Sequence, residues 1–118
     1  MNYNVFEHIG AYCITLDDGQ KVYAAIHPEL KAHERVELDF RDVEIVASPF
    51  LNAAIGQLLR DLSPEALNTH LKISNLSVLA RPVLARVIEN AKTYYSNPEY
   101  HEAVDRVIEK EVNAVNDD

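Results

Sequence analysis

Val36-Glu37-Leu38-Asp39-Phe40 decides the fold. Apolar and acidic side chains alternate through it at a period of two, and only an extended strand sends successive residues to opposite faces. The pattern predicts a half-buried strand over residues 36–40. Beyond Arg41-Asp42 and residues 43–46 comes Ser48-Pro49, and then Phe50, Leu51, Ala54, Ile55, Leu58, Leu59 and Leu62 recur at spacings of three and four. That spacing makes one apolar stripe on a helix. Ser48 is expected at the N-cap, where its hydroxyl satisfies an orphan amide, and Pro49 at the first helical position, where no amide is needed. Leu71-Lys72-Ile73-Ser74-Asn75-Leu76 alternates again. A strand, a helix and a strand connect right-handedly, so residues 71–76 should lie parallel beside residues 36–40. Gly56 falls within the helix, where glycine costs about 1 kcal/mol relative to alanine. Close packing on the sheet is the expected compensation, with approach of a ligand as the alternative.

The same reading extends to both ends. Residues 5–16 hold β-formers such as Tyr12, Ile14 and Thr15 around Gly10, predicting one or two short strands, and Asp17-Asp18-Gly19 reads as a turn. Val22, Tyr23, Ile26 and Leu30 form a helical stripe over residues 20–31, with His27-Pro28 expected to distort its last turns. Ser63-Pro64-Glu65-Ala66-Leu67 repeats the serine–proline start signal for a short helix. Residues 77–95 predict a helix with the stripe Leu79, Val83, Val87 and Ala91, and Pro82 near its start. Asn97-Pro98-Glu99 should cap one more, with Tyr100, Val104, Val107 and Ile108 on its apolar side. The fold class is therefore α/β, a single domain over residues 1–96 with a small mixed or parallel sheet flanked by helices. Residues 97–118 are expected as an acidic helix and tail packed on it.

Composition narrows the function. The chain has 118 residues, 11 Lys and Arg against 19 Asp and Glu, and a formal charge of −8. Phosphate backbones are bound through clustered Lys and Arg, so nucleic acid is not an expected partner. Residues 99–118 carry seven acidic and two basic residues, a net −5. The longest apolar stretch, residues 45–59, is interrupted by Ser48, Pro49, Asn52 and Gln57, whereas a membrane span needs about 20 mostly apolar residues. No insertion into a membrane is expected. Residues 1–10 lack the basic segment and apolar core of a signal peptide, and one cysteine, Cys13, allows no disulfide within the chain; both fit a cytoplasmic location.

Chemistry-bearing patterns are sparse. Gly10, Gly19 and Gly56 are too scattered to build a phosphate-cradling loop. His8, His27, His33, His70 and His101 include no pair at the spacing that puts two ligands on one helical face, so no metal and no cofactor is expected. Cys13 within Ala11-Tyr12-Cys13-Ile14-Thr15 reads as a buried strand residue rather than a nucleophile. Glu37 and Asp39 share one strand face, the pattern either of a solvated edge or of paired carboxylates for acid/base work.

Together, the strand over residues 36–40, Asp42-Val43, and Ala47-Ser48-Pro49-Phe50-Leu51-Asn52 resemble the STAS superfamily, the domains of sulfate transporters and of bacterial anti-sigma factor antagonists. The nearest pattern is the STAS-like family of unknown function: a V-x-L-D-F strand, a serine-containing turn running into F-L, a glycine, here Gly56, and an I-x-N-L strand, here Ile73-Ser74-Asn75-Leu76. The resemblance runs from Gly19 to about Asn90. It implies a regulatory binding domain without enzymatic turnover. In the antagonists the turn after the central strand carries a D-S-S-G-L-G-like motif whose first serine is phosphorylated by a kinase-like ATPase. Position by position, Ala47 stands for the aspartate and Ser48 for the phosphorylated serine, while Pro49, Phe50 and Asn52 replace the second serine and both glycines.

The resemblance thus implies a protein-interaction module in bacterial signalling, facing a kinase-like ATPase or a sensor; the apolar side of the last helix, packed on its own domain or on a second copy, makes the chain a monomer or a homodimer. Ser48 is the candidate phosphoacceptor, with service as an N-cap alone as the alternative. Asp39, Asp42, Ala47, Ser48, Pro49, Phe50 and Asn52 are the candidate partner-binding residues. A second reading is a small-molecule or nucleotide sensor using the same strand ends, where α/β sheets bind ligands. An enzyme built on Glu37, Asp39 and a histidine is the third.

Overall fold

Alternation becomes register in the three-stranded sheet. The computed structural model describes residues 1–96, and the predicted helix over residues 97–118 lies outside them. Strands β1 (Asn2–Asn4), β3 (Val36–Asp39) and β5 (Leu71–Ser74) form one sheet in the order β1-β3-β5, all parallel. Leu38 pairs with Tyr3 on one side and Ile73 on the other; Glu37 pairs with Asn2 and Lys72. Tyr3, Val36 and Leu38 are buried, whereas Asn2, Asn4, Glu37, Asp39, Lys72 and Ser74 share the opposite, polar face. Residues 36–39 and 71–74 are therefore neighbouring parallel strands, as the alternation predicts. A second parallel pair, β2 (Tyr12–Cys13) and β4 (Ile45–Val46), completes the strands among the described residues.

Helices close the apolar face. A single turn, α1 (Val5–His8), follows β1 and is capped by Asn4, whose Oδ1 accepts from the Glu7 amide at 3.0 Å. The long helix α2 (Leu16–Lys31) begins where Asp17-Asp18-Gly19 suggests a turn. Thr15 makes the difference: its Oγ1 accepts from the Asp18 amide at 3.1 Å, so both aspartates occupy a first helical turn, where negative charge is favoured. Val22, Ile26 and Leu30 are buried as their spacing predicts. Pro28 does not break the helix, which runs through it and ends at Lys31. The amides of His33 and Glu34 return to the carbonyls of Leu30 and Glu29, with His33 in the left-handed region at φ 63°, a helix end of the Schellman type.

The stripe over residues 50–62 folds into two pieces rather than one helix. α3 (Ser48–Ala54) stops at Ile55, and a 3₁₀ segment (Gly56–Arg60) continues the path. Phe50, Leu51, Ala54, Ile55, Leu58 and Leu59 are nevertheless all buried. Gly56 packs against α5 (Arg81–Ser96) and not the sheet: a Cβ there would meet Val87 Cγ1 at 3.3 Å and Ala91 Cβ at 3.8 Å. Glycine's poor helix propensity and this close approach explain the break.

α4 (Pro64–His70) starts as predicted, with Ser63 Oγ accepting from the Ala66 amide at 3.1 Å. The last described helix starts later than the sequence pattern suggests. Residues 77–80 form a turn, and Leu79 is 88% exposed, so the buried stripe of α5 consists of Val87 and Ala91 with Val83 half-buried. The core is wholly apolar among the described residues, from Tyr3 and Val5 through Leu38, Phe40 and Phe50 to Val87.

Candidate functional site

The turn between β4 and α3 is the place where the sequence expects function. Ala47, not Ser48, is the N-cap residue of α3, with φ −102° and ψ 157° and no side-chain cap bond. Ser48 is the first helical residue and is exposed. The expectation that its hydroxyl caps the helix is thereby corrected: a cap side chain must stand one residue outside the helix to reach the second or third amide. Pro49 and Asn52 are exposed, whereas Phe50 is fully buried and anchors the turn from beneath.

Packing of α3 on α5 opens a groove of about 320 Å³ at this turn. Ser48 and Asn52, one helical turn apart, contribute from α3. Arg86 and Asn90 face them from α5, where residues 83, 86, 87 and 90 fall on one side of the helix. Val46, Ala47, Val83 and Val87 form the apolar wall. Among the described residues, the side chains of Ser48, Asn52, Arg86 and Asn90 have no hydrogen-bonding or ionic partner. The sequence patterns single out Ser48 and Asn52 but not Arg86 or Asn90, because nothing along the chain links α5 to a turn some forty residues earlier.

Asp39 and Asp42 do not line this groove. Asp39 sits at the end of β3, its Oδ1 accepting from Asn75 Nδ2 at 2.9 Å and from the Arg41 amide at 3.0 Å. Those two hydrogen bonds, the Asn75 one foremost, hold its carboxyl below the usual range. Asp42 takes φ 69° in the turn closed by the Val43 amide on the Phe40 carbonyl. Glu37, on the polar sheet face, accepts from Ser74 Oγ at 2.8 Å. These carboxylates organise the ends of β3 and β5.

The remaining reactive side chains lie outside the groove. Cys13 is fully buried, and burial, with the charge of Asp18, pushes its thiol up to about 11. His27 Nε2 lies 2.9 Å from Asp61 Oδ2, and Lys31 Nζ lies 3.4 Å from the same oxygen. His8 stacks on Tyr3, and His33 meets His70 at 5.9 Å between ring centres. Among the described residues no group of three or more His, Cys, Asp and Glu side chains is placed to hold a metal ion.

The arrangement of a three-stranded parallel sheet, a serine turn and a helix between β4 and β5 coincides with a family comparison. The sequence model of a family described as a STAS-like domain of unknown function matches residues 18–79, from the first turn of α2 to the turn before α5. The chain belongs to that family. No curated protein and no solved structure matches it. Within the STAS-like domain the matched segment includes Ser48 and Asn52, while Arg86 and Asn90 lie beyond it on α5. No described helix of the STAS-like domain is long and apolar enough to cross a membrane.

Proposed function

We propose that this STAS-like domain is a regulatory protein-interaction module of the bacterial cytosol, switching between partners in the manner of anti-sigma factor antagonists and catalysing no reaction. The observation that carries the reading is Ser48, exposed at the first position of α3 with a hydroxyl that caps nothing. A phosphate there would add about −1.5 to −2 charges to the surface of the turn. The partner, a kinase-like ATPase or a sensor, would contact Ala47, Ser48, Pro49 and Asn52. Phe50 would hold the turn's shape from the core, and Asp39 and Asp42 would supply a separate acidic contact at the end of β3. Phosphorylation would release such a partner through repulsion and the cost of desolvating the dianion. Membership of the STAS-like family supports the reading.

The test is capture of partners from the source cell by the tagged full chain, with intact-mass analysis of the bait. A partner retained by Ser48→Ala and lost with Ser48→Glu, together with a one-phosphate mass increment on wild-type bait, is the expected result. Capture indifferent to both substitutions, with no phosphate on the bait, would overturn the proposal.

A further inference from the structure

We propose that the groove between α3 and α5 is a binding site for a phosphate monoester, with Arg86 as its cation and the carboxamides of Asn52 and Asn90 as neutral donors. The phosphate can come from two sources, a free small molecule or Ser48 itself once modified. Only the second source rests on the reading proposed above.

Three observations converge. The groove collects a guanidinium, two carboxamides and a hydroxyl, and none of the four is engaged by another described residue. Glu89, the one acidic residue of α5, is taken by Lys92 at 3.4 Å and leaves Arg86 without a carboxylate on its own helix. Among the described residues no carboxylate lines the groove, although the chain as a whole carries −8. An anion repelled by most of this surface would find its attraction concentrated here.

The donor count selects the kind of anion. A guanidinium presents a planar fork that by itself satisfies a carboxylate's two oxygens. With two N–H donors on each of the Asn52 and Asn90 carboxamides, the groove offers about six donors counting the fork, more than the roughly four lone-pair sites of a carboxylate, and suits a tetrahedral group with three terminal oxygens. Val46, Val83 and Val87 offer an apolar wall to the ester's carbon, and reduced contact with water on that side strengthens the charged hydrogen bonds. A volume of about 320 Å³ is at the small end of ligand sites and leaves room for a phosphate with a short ester group.

Side-chain NMR of the full chain tests the first source, using inorganic phosphate and free phosphoserine as probes. Saturable shifts of the Arg86 Nε–H and of the Asn52 and Asn90 carboxamides are expected, with affinity about tenfold or more weaker in Arg86→Gln, the loss of a charge-assisted hydrogen bond. The second source is tested by installing phosphoserine at position 48 through an expanded genetic code and titrating it by phosphorus NMR. Its second ionisation should fall at lower pH with Arg86 present than in Arg86→Gln. Because Arg86 is exposed, its replacement leaves the core untouched. A response in either arm supports the site and names the source. Absence of both, or responses unchanged by Arg86→Gln, overturns it. Partner capture in the preceding experiment is read separately, so an empty groove with intact Ser48-dependent capture would sink this proposal alone.

Discussion

Gly19 of α2 lies against the backbone carbonyl of Phe50 in α3, so closely that a methyl group on it would also stand 2.7 Å from Cβ of Ala53. Two helices that carry much of the core thus meet where one has no side chain.

Gly19→Ala is accordingly expected to destabilise the domain, against the usual gain of alanine in a helix. Overpacking against a backbone atom costs about 1–3 kcal/mol, and the better helix propensity returns about 1 kcal/mol of it. A denaturant midpoint that falls at constant slope would show this net loss; a midpoint that rises would mean the two helices can part without cost.

The caps separate three hydroxyls that look alike in sequence. Thr15 and Ser63 each accept from a helix amide at 3.1 Å, so Thr15→Ala and Ser63→Ala should each cost about 0.5–2 kcal/mol. Ser48→Ala should stay within about 0.5 kcal/mol of wild type, as befits an exposed residue with no bond to lose. Equal losses at all three positions in urea unfolding would contradict the assignment of Ala47 as the α3 cap.

Asp61 makes stability depend on acid. Its burial raises the carboxyl's pKa, but the hydrogen bonds and charges of His27 and Lys31 outweigh that and hold it below the usual range. A group depressed on folding contributes stability that is complete above its unfolded value of about 4 and disappears as pH falls through the folded value. The stability gap between wild type and Asp61→Asn should therefore be widest near neutrality and shrink in acid. Unfolding curves collected across that range would show a parallel pair of lines if the carboxylate contributed nothing.

Cys13 should be slow towards thiol reagents in the native state. Burial first, and the negative charge of Asp18 second, hold its thiol up at about 11, and the thiolate is the reactive form. At mildly alkaline pH, labelling is expected to wait for unfolding and to accelerate with urea. Immediate reaction of the native protein would show that β2 opens readily.

Strand alternation and local caps were legible along the chain because their physics is local. Burying one face of β3 and β5 imposes a period of two within a few residues, and Ser63 caps α4 through an amide three positions away. The V-x-L-D-F strand, the serine turn and Gly56 likewise carried the STAS-like family, since each is a contiguous or closely spaced motif. Tertiary structure decided the rest. Asp17-Asp18-Gly19 suits a turn or a first helical turn equally well, and the Thr15 cap together with the surface offered by Phe50 and Ala53 selects the helix. Gly56 faces Val87 rather than the sheet, which splits one apolar stripe into α3 and a 3₁₀ segment. Ser48 and Asn52 meet Arg86 and Asn90 for the same reason: periodicity states which face of a helix is buried, but the partner of that face is chosen by packing between segments distant in the chain.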